Sequence, residues 1–417
     1  MVPMSEISSL LNKVSCPLCG ANKGDHIYQK KINIGDKYGV IPVTVTQCCE
    51  CGFAFNSPRP DSSVYDDYYS SSSMVSGAVF RLADAGSSYG QLYAERAKFV
   101  TVQIASAGRG GRFLDVGCGN GDLLAYLRDG FRDEQENWRI EGLDPSAKSC
   151  ASARKKGFSV WQGTTSNRPA DLSNFDGISM NSVLEHLLDP GECLDDLFDM
   201  LADNGSLFVE VPNCLHPKVS LTGFFGFEHV NHFTPSSLYQ MLDKHGFRDI
   251  ERDHSASQRM IRVVARKGSV TELGVADDRS ALRLAVKEYQ REEATLMSYL
   301  HDNLFPLLEK WKAQGHRVGI YGAGNHTVEL SAHFDLRDLA VCIIDGDQSK
   351  QGERLLGLPI CAPEEIESLG LHSILISSGR FCEEITDTIR KNTKGQAKES
   401  PIEIVSCYQA PVPTIFR

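Results

Sequence analysis

One part of this sequence that predicts a ligand-binding site is a glycine-rich loop. Residues 113–121 read Phe-Leu-Asp-Val-Gly-Cys-Gly-Asn-Gly, with Asp115 at the end of a predicted strand. Glycine in such a turn lets the backbone approach a bound nucleoside and present amides to it. Asp144 ends the next predicted strand, where a carboxylate can accept both ribose hydroxyls. The loop glycines are Gly117, Gly119 and Gly121. This combination predicts a nucleoside site, although a lone glycine motif also occurs in dinucleotide enzymes.

Four cysteines have the spacing of a metal site. They are Cys16, Cys19, Cys48 and Cys51, arranged as two CxxC motifs that are each followed directly by glycine. A tight turn of this kind lets two thiolates converge on one tetrahedral ion, so two such turns predict a structural zinc site with four sulfur ligands. Cys49 breaks the two-residue spacing and is predicted to be a bystander. The alternatives are four unrelated buried cysteines or a redox dithiol.

A third group of reactive side chains lies in an aromatic segment, residues 224–234. Glu228 and His229 are adjacent there, and His232 follows three positions later. Histidine is the commonest general base, and a carboxylate can orient its ring. These three residues are therefore candidate acid–base groups. The alternative is that they only anchor the loop before a helix predicted at Pro235–Lys244.

Composition narrows the range of functions. The chain has 417 residues, a formal net charge of −11 and 13 cysteines. Nucleic-acid binding needs clustered Lys and Arg, so the acidic balance argues against a large nucleic-acid footprint. We expect neither a membrane span nor a secretory signal, because the sequence shows no long apolar run and no basic segment followed by an apolar one near its start. A cytoplasmic protein with reduced thiols is expected.

The pattern of apolar runs predicts the elements that position these groups. Residues 85–267 alternate short apolar runs with helical stretches, which is typical of a parallel α/β sheet. The predicted strands are Phe113–Val116, Ile140–Leu143, Phe158–Trp161, Gly177–Met180, Ser206–Val211 and Ile261–Ala265. The Tyr- and Ser-rich residues that follow position 60 show no apolar periodicity and are predicted to form a linker or lid.

The predicted plan is α/β with three parts. Residues 1–75 form a zinc-binding module and a Tyr/Ser-rich linker. Residues 76–270 form a Rossmann-like domain that binds the cofactor. Residues 271–417 form a helical connector and a smaller Rossmann-like domain.

The C-terminal part contains a second glycine turn. Residues 317–324, Arg-Val-Gly-Ile-Tyr-Gly-Ala-Gly, are predicted to form a strand and a turn before a helix, and Asp345 ends the next predicted strand. This spacing fits an NAD fingerprint, but Thr327 stands where the third glycine belongs. A helix start with Asn-His-Thr can instead bind a phosphate. A purely structural turn is the third alternative.

The glycine loop with its acidic residue resembles the first motif of class I S-adenosylmethionine-dependent methyltransferases. Residues 175–186, Phe-Asp-Gly-Ile-Ser-Met-Asn-Ser-Val-Leu-Glu-His, are similar to the fourth-strand motif of that family and contain Asn181 and His186. The resemblance implies a Rossmann-like methyltransferase core with S-adenosylmethionine as the cofactor and Asp115 near the methionyl amine. A nucleotide-binding fold without this cofactor is the alternative.

The three parts together resemble the zinc-containing sugar C-methyltransferases, which act on nucleotide-linked 4-keto-6-deoxy sugars. The resemblance implies that Glu228 and His229 lie at the reacting carbon. It also implies a catalytic position for His186, whose alternative role is to cap a helix predicted to begin at Leu187. It further implies that the C-terminal domain helps to hold the nucleotide of the substrate.

One position departs from that family. A tyrosine usually stands two places before the glutamate, where this chain has Gly226. The phenol that would steady an enolate is therefore missing from this position, and the candidates to replace it are His232 and the tyrosines at 65, 68 and 69. If none of these groups replaces the phenol, carbon is not the expected acceptor.

The sequence therefore predicts methyl transfer from S-adenosylmethionine to a small, nucleotide-linked sugar, at carbon through an enolate with His229 as base. An O- or N-methyltransferase acting on another small metabolite is one alternative. A methyltransferase of RNA or protein that uses the zinc module for recognition is a second. An NAD-dependent oxidoreductase that uses the C-terminal domain is a third, from a different class. The sequence predicts no nucleic-acid or membrane partner.

Overall fold

The computed structural model describes residues 10–34, 37–71, 88–105, 110–133, 138–268, 277–348, 350–379, 381–393 and 402–408. The domain boundaries expected near residues 75 and 270 lie outside these residues, so the three-part division stays a prediction. The chain divides into two compact units. The first contains residues 1–217 and 225–287, and the second contains residues 218–224 and 288–417. No helix in the described ranges combines the length and apolar character needed to cross a bilayer.

The first unit begins with an antiparallel sheet next to the cysteine motifs. Its strands, in spatial order, are β11 (Asn231–His232), β4 (Ala54–Asn56), β3 (Val40–Cys48) and β2 (Gly24–Asn33). A separate two-stranded ribbon joins β1 (Leu11–Asn12) to β5 (Arg59–Pro60). Because β11 comes from much later in the chain and pairs with β4, it attaches the 224–234 segment to this sheet.

The Tyr- and Ser-rich segment forms a helix, α1 (Ser62–Ser71), within the described residues. The sequence shows no periodic apolar face here and did not predict this helix, and a role of these residues as a linker or lid stays a prediction. Val64 and Tyr65 are buried in one cluster with Phe227, and the rings of Tyr65 and Phe227 stack with centroids 4.4 Å apart. Tertiary packing of this kind stabilises short helices whose composition alone does not favour them.

A seven-stranded sheet forms the centre of the first unit. Its strands are β6 (Arg112–Val116), β7 (Arg139–Asp144), β8 (Ser159–Gln162), β9 (Phe175–Asn181), β10 (Leu201–Pro212), β12 (Phe247–Arg252) and β13 (Met260–Lys267). Their order is β12-β13-β10-β9-β6-β7-β8. The pairs from β8 to β10 are parallel, whereas β13 runs antiparallel to both of its neighbours. The six predicted strands are confirmed, and β12 was not predicted.

Helices cover both faces of this sheet. They are α2 (Ser88–Ala105), α3 (Asp122–Asp133), α4 (Ala147–Lys155), α5 (Pro190–Met200) and α6 (Pro235–Lys244). Side chains alternate across a strand, so Phe113 packs in a cluster with α2 and α3 while Leu114 packs in another with α5 and α6. Burial on both faces explains why the strands read as short, nearly continuous apolar runs. The predicted Rossmann-like core is confirmed.

The carboxyl ends of β6 and β9 mark the place where a ligand is expected. β6 pairs with β7 on one side and with β9 on the other, which makes this a topological switch point. Ligands of open α/β sheets bind in the crevice at such a point. The predicted site residues Asp115 and Asn181 lie at these two strand ends.

The segment after β9 corrects one detail of the prediction. A helix was expected to begin at Leu187, and capping that helix was the alternative role of His186. Residues Leu184–His186 instead form one 3₁₀ turn, and α5 begins at Pro190 with the Asp189 side chain accepting from the amide of Glu192 at 2.9 Å. An aspartate followed by proline is a strong helix start, because the carboxylate caps a free amide and proline has no amide to leave unpaired.

The second unit contains a smaller Rossmann-like sheet. Its strands, in spatial order, are β16 (Arg354–Leu355), β17 (Leu358–Cys361), β15 (Ala340–Ile344), β14 (Val318–Tyr321), β18 (Ser373–Ile376) and β19 (Glu403–Ser406). All the pairs are parallel except β16 with β17. The helices are α7 (Arg279–Tyr299, continued by a π turn at Leu300–Leu304), whose residues from 288 onward belong to this unit, α8 (Phe305–Ala313), α9 (Asn325–Ser331) and α10 (Cys382–Lys391), with a 3₁₀ turn at Pro363–Glu365. The predicted connector and second α/β domain are confirmed as elements.

Candidate functional site

The glycine loop after β6 has the backbone geometry that its composition predicts. Gly117, Gly119 and Gly121 have φ angles of 74°, 52° and 79°, a region that other residues rarely adopt. A Cβ at Gly117 would lie 2.4 Å from Val183 Cγ2, so no larger residue fits there. A Cβ at Gly119 would meet no heavy atom within 4 Å. The turn therefore leaves open space at its tip, where a ligand can contact the backbone.

Asp144 at the end of β7 holds this turn in place. Its Oδ2 accepts a hydrogen bond of 2.9 Å from the Gly119 amide, and its Oδ1 accepts one of 2.9 Å from the Ser146 amide. Burial raises the pKa of Asp144, although the two amides lower it in part. Each carboxylate oxygen has a second lone pair, which keeps the predicted contact with ribose hydroxyls sterically and chemically open.

Asp115 and Asn181 face the same crevice from β6 and β9. Asp115 is almost fully buried, and Ser179 Oγ donates a hydrogen bond of 2.5 Å to its Oδ1. Desolvation raises the pKa of Asp115 to about 7. The Asn181 Nδ2 atom is buried and makes no hydrogen bond of good geometry among the described residues, although the Asn181 side chain lies near enough to Asp115 to lower the pKa of that carboxyl. Because buried donors are almost always paired, an orphaned amide beside an open glycine turn fits a bound polar ligand.

Asn56 of β4 organises the aromatic loop. Its Nδ2 donates hydrogen bonds to the carbonyl oxygens of Gly226 (3.1 Å) and His229 (3.0 Å). Its Oδ1 accepts one of 2.9 Å from His232 Nε2, and its own amide donates one of 2.8 Å to the Val230 carbonyl. The buried His232 ring is therefore held in place by Asn56, which accounts for its burial without any contact with substrate. No sequence signal connects Asn56 to this loop.

The loop brings the predicted acid–base residues together at the carboxyl end of β9. The Tyr68 hydroxyl donates a hydrogen bond of 2.7 Å to Glu228 Oε1. His186 Nδ1 lies 3.0 Å from the Glu228 carbonyl oxygen, and the rings of His186 and His229 meet edge to face with centroids 4.8 Å apart. Glu185, which the sequence did not single out, joins the two histidines, and all three place a ligand atom within 4.8 Å of one another.

The four predicted zinc ligands converge. Cys16 Sγ lies 3.5 Å from Cys51 Sγ, Cys19 Sγ lies 3.5 Å from Cys48 Sγ, and all four sulfur atoms lie within 4.8 Å of one another. Tetrahedral zinc with four Zn–S bonds of about 2.3 Å requires sulfur atoms about 3.8 Å apart. The cluster can therefore hold a metal ion, and Cys49 lies outside it.

Comparison with known families decides the class of this protein. Residues 90–252 match the family model of a methyltransferase domain, and residues 262–398 match that of a C-methyltransferase C-terminal domain. The chain is an S-adenosylmethionine-dependent methyltransferase. The glycine loop, Asp115, Asp144 and Asn181 all lie within the first match.

Three of the solved structures that are similar to this chain are also described as methyltransferases. The plantazolicin methyltransferase BpumL is 14% identical, with 42% of this chain and 83% of that chain covered and a TM-score of 0.35. The CurJ carbon methyltransferase is 15% identical, with 50% and 59% covered and a TM-score of 0.37. A methyltransferase of Mesorhizobium loti is 16% identical, with 41% and 98% covered and a TM-score of 0.34. At these TM-scores the similarities carry no argument about the acceptor. The search of curated proteins finds no match.

A buried ion network joins helix α2 to strands β10 and β13. Glu210 on β10 accepts from Arg96 Nε at 2.9 Å and from Arg262 Nε at 2.5 Å, and Arg262 also pairs with Asp253 at 2.9 Å. The charge of Arg96 also lowers the pKa of Asp115. This network was not predicted, because a charged residue in a strand carries no signal of its distant partners.

The glycine turn of the second unit repeats one feature of the first. Asp345 Oδ2 accepts a hydrogen bond of 2.7 Å from the Ala323 amide, as Asp144 does from Gly119. Thr327 is fully buried, and its hydroxyl bonds Ser377 Oγ at 2.6 Å. The methyltransferase thus contains a well-ordered turn here, and its ligand stays a prediction.

Proposed function

We propose that this methyltransferase transfers the methyl group of S-adenosylmethionine to a carbon beside a ketone in a small, nucleotide-linked sugar. When it is bound, the cofactor supplies an electrophilic methyl group on a sulfonium. The match of residues 262–398 to a C-methyltransferase C-terminal domain supports carbon as the acceptor. The resemblance of the whole three-part sequence to sugar C-methyltransferases supports the class of substrate.

In this proposal Asp115 pairs with the amine of the cofactor, and Asp144 accepts its ribose hydroxyls. The Asn181 amide fills its empty hydrogen-bonding capacity on the cofactor, since Nδ2 makes no hydrogen bond of good geometry among the described residues. The loop glycines let the cofactor approach the backbone at Gly119, where a Cβ would meet open space. These residues hold the methyl donor in line with the acceptor, which is the main requirement of methyl transfer.

His229 removes a proton from the carbon beside the ketone. The resulting enolate carbon forms a bond to the methyl carbon while the bond from that carbon to sulfur breaks, and the proton on His229 then passes to solvent. Glu228 and His186 position this base through the loop, because His186 Nδ1 bonds the Glu228 carbonyl. Asn56 fixes the backbone of the base itself at 3.0 Å.

The observation that carries the proposal is the hydrogen bond of 2.7 Å between Tyr68 and Glu228. Enolate formation needs a donor for the developing negative charge on oxygen. The family tyrosine that would supply it is replaced by Gly226, and Tyr68 places a phenol beside the same Glu-His pair. Because a phenol has one proton, Tyr68 must turn its O–H from Glu228 to the developing oxyanion during the reaction. The chemistry therefore does not depend on position 226.

The test uses a labelled methyl donor with a panel of nucleotide-linked keto sugars and their hydroxyl counterparts. We expect label in keto sugars only, together with loss of the hydrogen at the methylated carbon. In D2O with S-adenosylhomocysteine in place of the donor, the wild-type enzyme should exchange that hydrogen. His229→Ala should lose exchange and turnover by a factor of about 100 or more and still bind S-adenosylhomocysteine. His254→Ala, an exposed histidine, is the control. Label on a hydroxyl or amine, or normal exchange in His229→Ala, would overturn the proposal.

A further inference from the structure

Three side chains at the carboxyl end of β9 form a cluster of metal-ligating type. Glu185, His186 and His229 each place one ligand atom within 4.8 Å of the other two. Glu185 and His186 come from the 3₁₀ turn Leu184–His186, and His229 comes from the aromatic loop. The loop is tied to that turn because the Val230 amide donates a hydrogen bond of 2.9 Å to the Glu185 carbonyl. The backbone therefore fixes the relative positions of the three donors.

The carboxylate of Glu185 needs a partner. Its side chain is 2% exposed, and neither carboxylate oxygen has a hydrogen-bond partner among the described residues. The nearest imidazole nitrogen, His186 Nε2, lies 3.9 Å from Oε1, which is too far for a hydrogen bond. A buried carboxylate without compensation is costly, so it either takes up a proton or binds a cation.

The His186 ring is oriented as a metal ligand. Its Nδ1 lies 3.0 Å from the Glu228 carbonyl oxygen, which can only accept, so Nδ1 carries the proton and Nε2 carries the free lone pair. The Nε2 atom lies 3.9 Å from Glu185 Oε1. A histidine that ligates a metal through one nitrogen almost always donates its other ring N–H to a carbonyl or carboxylate.

We propose that Glu185, His186 and His229 bind a second metal ion, a divalent cation of the zinc and cobalt class, separate from the four-cysteine cluster. Two imidazoles and one carboxylate form a set typical of first-row divalent metals, whereas Mg²⁺ prefers oxygen ligands. Bonds of about 2.1 Å to a tetrahedral ion place ligand atoms about 3.4 Å apart. The observed separations of 3.9 Å and up to 4.8 Å therefore need only a small inward movement of side chains.

Occupation of this site has a consequence for catalysis, which rests on the proposed function. The lone pair that His229 uses to take a proton from substrate is the one that it gives to the metal. The metal-bound and catalytically competent forms therefore exclude each other. We therefore expect zinc or cobalt to inhibit the enzyme.

The experiment starts from full-length protein that carries one equivalent of zinc. The protein is dialysed against ZnCl₂, and bound metal is counted by atomic emission. We expect two equivalents in the wild-type protein and one in Glu185→Gln and in His229→Ala. Circular dichroism verifies that each variant is folded, and the partly exposed His229 provides a second variant should Glu185→Gln misfold. Glu192→Gln, an exposed glutamate at the start of α5, should keep both equivalents.

Cobalt separates the two sites by their ligands. CoCl₂ is added to the protein that carries one equivalent of zinc, before dialysis against ZnCl₂. This should give d–d absorption without thiolate charge-transfer bands, and the Glu185→Gln variant should lack that absorption. A single zinc equivalent in the wild-type protein, or a second equivalent that survives in both variants, would overturn the metal site. A second equivalent that depends on Glu185 but leaves turnover unchanged would support the site and contradict the assignment of His229 as base, so the two failures are distinguishable.

Discussion

The phenol of Tyr68 donates a hydrogen bond to the carboxylate of Glu228, 160 positions later in the chain. Aromatic packing positions the helix and the loop that carry these two residues. The Tyr68 ring meets Phe227 edge to face with centroids 4.9 Å apart, and Tyr65 stacks on the same ring from one turn earlier in α1. Helix α1 and the aromatic loop therefore pack against each other, and this packing positions the Tyr68 hydroxyl next to Glu228.

Replacing Tyr68 by phenylalanine tests whether this hydroxyl serves the reaction. The variant keeps the ring and its packing on Phe227 but loses the hydrogen bond to Glu228. If the phenol stabilises an enolate, kcat should fall by a factor of about 100 while KM changes little, because the lost interaction acts mainly in the transition state. Tyr38→Phe is the matched control, since it also removes a tyrosine hydroxyl that donates a hydrogen bond to a carboxylate, that of Asp67. Equal kinetic effects in both variants would argue for a structural role.

Position 226 offers a gain-of-function counterpart to that variant. A Cβ at Gly226 would meet no heavy atom within 4 Å, and its φ lies outside the positive region. We therefore expect the Gly226→Tyr variant to fold normally. In a double variant with Tyr68→Phe, it should restore part of the activity that Tyr68→Phe alone loses. Stopped-flow measurement of the exchange rate beside the ketone is the readout. A double variant as slow as Tyr68→Phe alone would show that a phenol at position 226 cannot replace the one at 68.

Asp115 should make both stability and cofactor binding depend on pH. Burial raises its pKa from 3.8 to about 7, so the folded, cofactor-free protein retains a proton that the unfolded chain releases. Stability should therefore fall as pH rises between those two values, by up to about 1.4 kcal/mol per pH unit. Binding of the cofactor amine favours the ionised form, so affinity should increase with pH up to about 7.

Guanidinium titrations and calorimetry with S-adenosylhomocysteine between pH 5.5 and 7.5 would measure both effects. Asp115→Asn should flatten both pH dependences relative to the wild-type protein. Ser179→Ala should move the affinity transition to higher pH, because the Ser179 hydroxyl lowers the pKa of Asp115. Parallel curves for wild-type protein and Asp115→Asn would mean that another group is responsible.

The stability of the protein should depend far more on the ion network around Glu210 than on the similar network around Glu141 in the same sheet. Glu210 lies between Arg96 and Arg262, whose side chains are 10% and 4% exposed. Removing one partner of a buried network leaves charges without compensation and costs about 3–5 kcal/mol. Glu141 on β7 is equally buried, but its partners Arg112 and Arg139 are 30% and 61% exposed and can turn to water.

Glu210→Gln should therefore lower the free energy of unfolding by about 3–5 kcal/mol. Glu141→Gln should lower it much less, by about 1 kcal/mol or below. Urea unfolding followed by circular dichroism compares the two. A larger loss for Glu141→Gln would contradict this explanation of the network.

The parts of the fold that the sequence predicts are those carried by local signals. The strands around Asp115 and Asp144 are short apolar runs bounded by turns, and each is confirmed. The helix Ser62–Ser71 was missed because its stability comes from Phe227, a residue far away in the chain. The start of α5 was misplaced because Asp189 and Pro190 give a stronger signal than the histidine before them.

The site divides in the same way. The glycine loop and the paired cysteines are contiguous motifs, so spacing alone brings their residues together. Asn56 lies in no motif, and Glu185 lies in the fourth-strand motif but is not among the site residues predicted from it. The contacts of both residues with the aromatic loop join parts of the chain that are far apart in sequence. Long-range pairing of this kind cannot be read from the neighbours of a residue in sequence.

The cysteine cluster gives a prediction with an internal control. Cys48 and Cys49 are adjacent, but only Cys48 belongs to the four-sulfur group. Cys48→Ser should lose the metal and destabilise the strands β3 and β4 on either side of that motif, because zinc bound only in the folded state adds its binding free energy to stability. Cys49→Ser should keep one zinc per chain and the wild-type melting curve. Atomic emission gives the zinc content, and thermal unfolding with and without a chelator gives the linkage. The chelator should lower the melting temperature of Cys49→Ser and leave that of Cys48→Ser unchanged. Zinc retained in Cys48→Ser at full occupancy would show that the metal lies elsewhere.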